Sequence, residues 1–185
     1  TRIAGVTLPA SVKSIGNSAF AHNLYLKTVN IQCNATMGES VFSGCARLEN
    51  VQLNDNMLEI PKNMFWSCRA LQKIKLPKNL KQIADGAFWA TGLTDIEIPE
   101  SVTRIGEEAF AITYLKKVVL PQNMERVSLK AFCSCYKLEK IYIPARVAYI
   151  DMDAFGKCSA MTDIYYSGTK EQWKKIKIEE EGNGA

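Results

Sequence analysis

Six cysteines and one histidine are the side chains of this 185-residue chain best suited to bind a metal or attack a substrate. Paired cysteines of a structural zinc site have at least two residues between them, whereas Cys133 and Cys135 have one. A catalytic cysteine or serine needs a base beside it, and His22 is the only imidazole in the sequence. We therefore expect no metal site and no hydrolase centre that uses histidine.

Two acidic pairs, Asp95/Glu97 and Glu107/Glu108, have the residue types of a glycosidase centre. Both are expected to project from strands and turns into water, as most carboxylates do. The sequence contains no glycine-rich phosphate loop and no calcium-loop pattern. The protein is therefore expected to be non-enzymatic and to need no cofactor.

The composition is that of a soluble chain with a real core, since 47% of the residues are hydrophobic and 23% are charged. The net charge of +4 comes from lysines spread along the chain, which argues against a nucleic-acid partner. No apolar run approaches the roughly 20 residues of a membrane span, so membrane insertion is not expected.

Phenylalanine recurs at nearly constant spacing, which indicates an internal repeat. Any exposed site must therefore be positioned by this repeat. The seven phenylalanines of the chain are 22 or 23 residues apart. They are Phe20, Phe42, Phe65, Phe88, Phe110, Phe132 and Phe155. One such unit is too small to bury its own apolar face, whereas stacked units share a continuous core. We therefore predict a solenoid of seven coils.

Each coil is predicted to contain a short strand, because two apolar residues with one residue between them follow every phenylalanine. The pairs are Val29/Ile31, Val51/Leu53, Ile74/Leu76, Ile96/Ile98, Val118/Leu120, Ile141/Ile143 and Ile164/Tyr166. Proline ends most of these strands, and a second apolar pair leads back to the next phenylalanine. The fold is thus predicted to be mainly β, with a parallel sheet on the concave side and a second row of short strands and turns opposite.

A small residue with a polar atom stands three positions after each phenylalanine. The position holds Asn23, Cys45, Cys68, Thr91, Thr113, Cys135 and Cys158. We expect its side chains to reach buried backbone carbonyl groups. Stacked coils lie close enough for disulfides Cys45–Cys68 or Cys135–Cys158, but equivalent side chains point the same way, which favours free thiols.

The pattern Ala-Phe-x-x-Cys-x-x-Leu-x-x-Ile-x-Ile-Pro, complete at residues 131–144, resembles the BspA-like leucine-rich repeat of bacterial surface proteins. The match runs from Leu8 to Tyr166 and implies a leucine-rich-repeat solenoid. It also implies a secreted or surface-attached bacterial protein that engages host macromolecules in adhesion. The second unit departs from the pattern at Cys33, Asn34 and Met37, which weakens the prediction of a second strand in that coil.

Three segments follow from this pattern: a solenoid over residues 1–166, a C-terminal cap over 167–178 and a flexible tail over 179–185. The segment Thr169 to Gln172 has the spacing of a capping box, and Trp173 and Ile176 share one helical face. The cap is expected to cover the last coil. Because Thr1 has no equivalent cap, we expect the natural protein to continue upstream.

The outward residues of the concave sheet are the predicted binding surface. Val119, Tyr142 and Tyr165 should lie on adjacent strands, flanked by Lys117 and Lys140. Such an aromatic patch with a cationic rim suits a partner-binding site, although the same side chains can simply stabilise the sheet. Earlier in this row, Lys75 and Glu97 are predicted to form a charge pair within the sheet.

A second candidate is the pair Trp66 and Trp89, which occupy the same position in successive units. Their rings should stack on one edge, where they either grip a sugar or cover neighbouring coils. We therefore expect a binding module for a host extracellular-matrix protein, a cell-surface protein or a glycan. A spacer that presents another domain, and a carbohydrate-binding array based on the tryptophans, are the alternatives. The sequence does not indicate the oligomeric state.

Overall fold

The computed structural model describes residues 2–179. The predicted tail, 179–185, therefore lies outside the described residues except for Glu179. The described residues form a mainly β, parallel solenoid, and this confirms the predicted fold class. Within residues 2–179, no helix has the length and apolar character needed to cross a bilayer.

Fourteen short strands and one helix make up the regular structure of residues 2–179. In chain order they are β1 (Gly5–Leu8), β2 (Ser14–Ile15), β3 (Thr28–Ile31), β4 (Thr36–Met37), β5 (Asn50–Gln52), β6 (Glu59–Ile60), β7 (Gln82–Ile83), β8 (Arg104–Ile105), β9 (Lys117–Val119), β10 (Arg126–Val127), β11 (Lys140–Ile143), β12 (Tyr149–Ile150), β13 (Asp163–Tyr166), α1 (Lys170–Trp173) and β14 (Lys177–Ile178).

The first strand row contains β1, β3, β5, β9, β11 and β13, and it forms the concave sheet. Its strands pair in parallel and in the register set by the repeat, so that Val29 lies between Val6 and Val51. The alternation of buried and outward residues follows the predicted period of two in β1, β3, β5, β9 and β11, whereas in β13 the predicted inward residue Ile164 is 46% exposed. In β11, for example, Ile141 and Ile143 are buried while Tyr142 faces outward.

The first strand row is interrupted, contrary to prediction, because residues 73–76 and 95–98 form no strand. Ile74, Leu76, Ile96 and Ile98 still point inward and are buried. The outward positions hold lysine, aspartate and glutamate, which are depleted in strands because they offer little cross-strand packing. The sheet therefore forms two three-stranded halves, β1-β3-β5 and β13-β11-β9.

The predicted charge pair across this interruption is wrong. No ion pair joins Lys75 to Glu97 within residues 2–179. The physical reason is the missing ladder, since no strand pairing brings the two coils into register there. Both side chains are instead exposed on the concave face.

The second strand row consists of two-residue strands that pair in parallel in three groups: β2-β4, β6-β7-β8 and β10-β12-β14. Strand β4 forms in the unit that departs most from the repeat pattern, and there Met37 pairs with Ile15. The row is interrupted between β8 and β10. All of these strands except β14 direct one apolar residue to the core, as Ile60, Ile83 and Ile105 show; Ile178 of β14 is 38% exposed.

The core is a stack of the seven phenylalanine rings. Consecutive ring centroids are 5.3 to 5.9 Å apart, and the ring planes differ by at most 14°. The five central side chains, from Phe42 to Phe132, are fully buried. Inward leucine, isoleucine and valine residues of both strand rows surround the stack, so neighbouring coils share one core as predicted.

A third row of contacts, which the sequence did not reveal, runs beside the phenylalanine stack. The residues two positions before and two positions after each phenylalanine have left-handed backbone angles, with φ between 52° and 69°. They are Ser18, His22, Ser40, Gly44, Asn63, Ser67, Gly86, Ala90, Glu108, Ile112, Lys130, Ser134, Asp153 and Lys157. This conformation costs a non-glycine residue about 1 to 2 kcal/mol.

Hydrogen bonds between coils offset that cost. The N–H of Ile112 donates to the Cys133 oxygen at 2.9 Å, and that of Glu108 donates to the Leu129 oxygen at 3.0 Å. The phenylalanine between them, Phe110, donates to the next coil in the same way. The left-handed residues thus turn alternate N–H groups towards the neighbouring coil and tie successive coils together.

The C-terminal segment closes the solenoid with a short helix and a strand. The capping box predicted at Thr169 and Gln172 is present at the start of α1, and Trp173 meets the Tyr166 ring edge-on with centroids 5.2 Å apart. Ile176 is buried. The sequence did not predict β14, which pairs with β12 and so extends the second strand row by one coil.

Candidate ligand-binding surfaces

The C-terminal half of the concave sheet carries an aromatic patch, defined by Val119, Tyr142 and Tyr165. The parallel register places Tyr142 between Val119 and Tyr165 on adjacent strands. The two tyrosine rings are stacked, with centroids 4.5 Å apart and planes 9° apart. Side chains that the repeat pattern selected on spacing alone are therefore neighbours in space.

Two lysines flank the aromatic patch; Lys117 contacts the patch itself, and Lys140 contacts a neighbouring carboxylate. The Lys117 ammonium lies 4.8 Å from the centre of the Tyr142 ring. The Lys140 ammonium lies 3.8 Å from the Asp163 carboxylate. A cation over the face of a ring stabilises the arrangement by about 0.5 to 1 kcal/mol at an exposed site. The patch is thus held in place before any partner arrives.

The aromatic patch is open to solvent despite these contacts. Val119 is 44% exposed and Tyr165 is 42% exposed. The equivalent outward residues of earlier coils, Asn30, Gln52 and Lys75, are polar. Apolar and aromatic side chains held outward on a sheet are a common mark of a protein-interaction site.

The N-terminal half of the concave face contains a polar cleft of about 920 Å³, which extends from β1 over the next four coils. Amides of Asn50 and Gln52 line it together with the hydroxyl groups of Thr7 and Thr28. Its other walls include valines of the paired strands and the two charged segments that form no strand, Lys73 to Leu76 and Asp95 to Glu97. Sequence reasoning missed this cleft because it predicted a continuous sheet. Charged residues at strand centres were the available signal.

Trp66 and Trp89 stack as predicted, with ring centroids 4.7 Å apart and planes 5° apart. Both are partly buried. The equivalent residues of the adjacent coils, Ser43 and Ala111, are small and buried, with exposed fractions of 8% and 3%. Each indole gives one face to the other indole, so this pair presents less ring surface than two separate tryptophans would.

The cysteine positions serve the interior of the solenoid. The thiols of Cys45, Cys68, Cys135 and Cys158 each donate to the carbonyl oxygen of the phenylalanine in the preceding coil, over 3.1 to 3.2 Å. Thr91 and Thr113 instead donate to the phenylalanine oxygen of their own coil, at 2.9 Å. The prediction that these side chains reach backbone carbonyl groups in the interior is confirmed for these six. It is wrong for Asn23, whose side-chain oxygen instead accepts from Tyr25 N at 3.3 Å.

Burial is expected to lower the reactivity of the Cys45 and Cys68 thiols. It raises the pKa of the Cys45 and Cys68 thiols, so their thiolate fraction is smaller than that of a solvated cysteine at any given pH. At pH 8, iodoacetamide should therefore modify the partly exposed Cys133 first and leave Cys68 unmodified until the protein unfolds. Peptide mapping by mass spectrometry with and without denaturant measures this order. Native-state labelling of Cys68 as fast as that of Cys133 would contradict the buried register.

Comparison with known proteins agrees with the repeat pattern. The family model described as the BspA type leucine rich repeat region matches residues 1–112 and 81–178, with six copies of the repeat. The two ranges together include all but the last residues of the chain. No curated protein matches the chain.

Two solved structures share the fold at low sequence identity. A leucine-rich repeat protein of T. pallidum aligns with a TM-score of 0.59 and 22% identity, over 90% of this chain and 72% of that protein. A leucine-rich repeat protein from Bacteroides ovatus aligns with a TM-score of 0.62 and 23% identity, over 93% of this chain and 55% of that protein. The chain thus spans little more than half the length of the second.

Proposed function

The chain belongs to the BspA type leucine-rich repeat family, and from this premise we propose that it is a non-enzymatic module that binds a protein partner through its concave face. The observation that carries the proposal is the aromatic patch, where Tyr142 and Tyr165 are stacked, outward-facing and held by Lys117. Rigid tyrosines lose little side-chain entropy on binding, so they contribute much affinity for their area.

We further propose that the protein acts at the bacterial surface or after secretion, in adhesion to a host matrix or cell-surface protein. This rests on the resemblance of the repeat to those of bacterial surface proteins and on the two partner-facing regions of the concave side. The polar cleft lies beside the aromatic patch along the same sheet, so an extended partner can contact both. The cysteines of the repeat point into the interior and contribute to packing. The outward rows of side chains are therefore the ones available for recognition.

The double variant Tyr142→Ala/Tyr165→Ala is expected to weaken partner binding at least about tenfold, because each ring contributes as a hot spot. Binding is measured against immobilised extracellular-matrix proteins, such as collagen and laminin, and against a glycan array. The matched control is Tyr114→Ala/Tyr136→Ala, which removes two exposed tyrosines that lie outside the strands of the concave sheet. The cross-strand stack contributes about 1 kcal/mol, so the variant should remain folded.

The same screen separates the remaining functions. A spacer would bind none of the matrix proteins or glycans. A carbohydrate-binding array would retain glycan affinity in the tyrosine variant and lose it in Trp66→Ala/Trp89→Ala. Equal matrix-protein affinity of the tyrosine variant and the wild-type protein would reject the aromatic patch as the site.

A further inference from the structure

A second cleft lies on the other strand row, where β8 and β10 fail to pair. The coils on either side are joined at this position by backbone hydrogen bonds, from Thr103 N to the Lys81 oxygen and from Ala148 N to the Glu125 oxygen, both at 2.9 Å. Between β8 and β10 the row opens into a cleft of about 550 Å³. Arg104, Arg126 and Arg146 line it, with Thr103, Asn123 and Glu125.

Two of these arginines begin the strands on either side of the break, Arg104 in β8 and Arg126 in β10, and their carboxylate partners lie in the coils beyond. Arg104 is 3.3 Å from Asp85 in the preceding coil, and Arg126 is 3.5 Å from Asp151 in the following coil. Their side chains remain 56% and 57% exposed. A guanidinium has five N–H donors, so these contacts leave donors for a ligand in the cleft.

The one carboxylate that lines the cleft is already matched by a charge. Glu125 accepts from Arg146 over 2.7 Å, the shortest ion pair in the described residues. The positive charges of Arg104 and Arg126 are therefore not cancelled from inside the cleft. An anionic group in the cleft can accept hydrogen bonds from the N–H groups that these contacts leave free.

The positive row continues from the cleft towards the cap. The register of β10, β12 and β14 places Tyr149 between Arg126 and Lys177. The Arg126 guanidinium lies 5.0 Å from the centre of the Tyr149 ring, and the Lys177 ammonium lies 5.5 Å from it. Cations thus follow one another along the solenoid axis, which suits a linear ligand with repeated anionic groups.

We propose that this arginine cleft, defined by Arg104, Arg126 and Arg146, binds the carboxylate or sulfate groups of an acidic polysaccharide. The planar guanidinium matches such groups through paired hydrogen bonds. Nucleic acid is disfavoured because Tyr149 has cations at its ring and offers no free stacking partner for a base. The site lies on the opposite strand row from the aromatic patch and does not depend on it.

The test compares Arg104→Gln/Arg126→Gln with a control of equal charge, Arg2→Gln/Arg47→Gln, whose arginines lie over Tyr25 at the other end of the solenoid. The probes are a heparin oligosaccharide, a hyaluronan oligosaccharide, neutral dextran and a short DNA duplex. The cleft variant should bind the acidic glycan at least about tenfold more weakly, and the control less than about twofold. The plot of log association constant against log salt concentration has a negative slope, and this slope should be less steep by about two in the cleft variant, since two anion contacts are lost.

Preference for heparin over hyaluronan would assign sulfate as the recognised group, and the reverse would assign carboxylate. Equal losses in both double variants, or no loss in the cleft variant, would overturn the proposal, as would tighter binding of DNA than of either glycan. Arg104→Lys/Arg126→Lys keeps the charge but removes the paired donors, so it should show an intermediate loss even where the glutamine variant is unstable. The tyrosine double variant should bind heparin like the wild-type protein.

Discussion

Replacement of Phe110 by alanine is expected to lower the free energy of unfolding by about 3 to 5 kcal/mol. The side chain is fully buried, and its ring stacks between Phe88 at 5.3 Å and Phe132 at 5.5 Å. Two aromatic contacts are lost together with the buried area. The cavity that the ring leaves closes little, because hydrogen bonds such as that from Phe110 N to the Ala131 oxygen fix the spacing of the coils around it.

Urea denaturation followed by circular dichroism measures the loss. Phe20→Ala is the matched control, since this ring belongs to the same stack but is partly exposed and contacts Phe42 in the next coil. Its loss should be clearly smaller. A change below about 1 kcal/mol for Phe110→Ala would mean that the phenylalanine stack does not carry the core.

The phenylalanine stack was predictable because it depends on a property that the sequence displays directly, namely the spacing of one large apolar side chain. The same holds for the stacked Tyr142 and Tyr165, whose adjacency follows from their shared position in the repeat. Once the period is known, the register of every paired strand except β14 follows. Features that are identical in each coil are therefore readable from residue types alone.

The interruptions of the two strand rows were not predictable in this way. Ile74 and Ile96 have the inward pattern of strand residues and are buried like the others, yet their segments form no strand in the first strand row. Whether a ladder forms depends on the outward side chains of two neighbouring coils at once, here Lys75 and Glu97. Both clefts, the polar cleft and the arginine cleft, extend over such interruptions, whereas the aromatic patch lies on paired strands.

The left-handed residues illustrate a second limit of sequence reasoning. Glycine, the usual signal for this conformation, occurs there only as Gly44 and Gly86 among the residues 2–179. Gly16 and Gly106, which directly follow β2 and β8, have no positive φ by contrast. Hydrogen bonds between coils impose the conformation on residues as different as Ile112 and Lys130, and a pattern of residue types does not show this.

Gly92→Val is expected to cost about 2 to 3 kcal/mol, although its backbone angles are not of the left-handed kind. The segment between phenylalanine and the next leucine is one residue shorter in the Phe88 coil than in the Phe65 coil, since Leu93 follows Phe88 by five positions and Leu71 follows Phe65 by six. At this change of length the buried Gly92 packs against the backbone of the longer segment. A Cβ atom there would overlap the Arg69 carbonyl oxygen and lie 3.4 Å from that of Leu71.

The obstacle is main chain, so it cannot rotate away as a side chain would. Tyr114 occupies the same position in the next coil, but there the segment itself and that of the preceding coil are both short, and its side chain is 57% exposed. Tyr114→Val is therefore the matched control and should change stability by less than about 0.5 kcal/mol. Thermal melts of the two variants measure the difference. If Gly92→Val melts at the same temperature as the wild-type protein, the short and long segments stack without a close backbone approach. The glycine would then not be what allows short and long coils to stack.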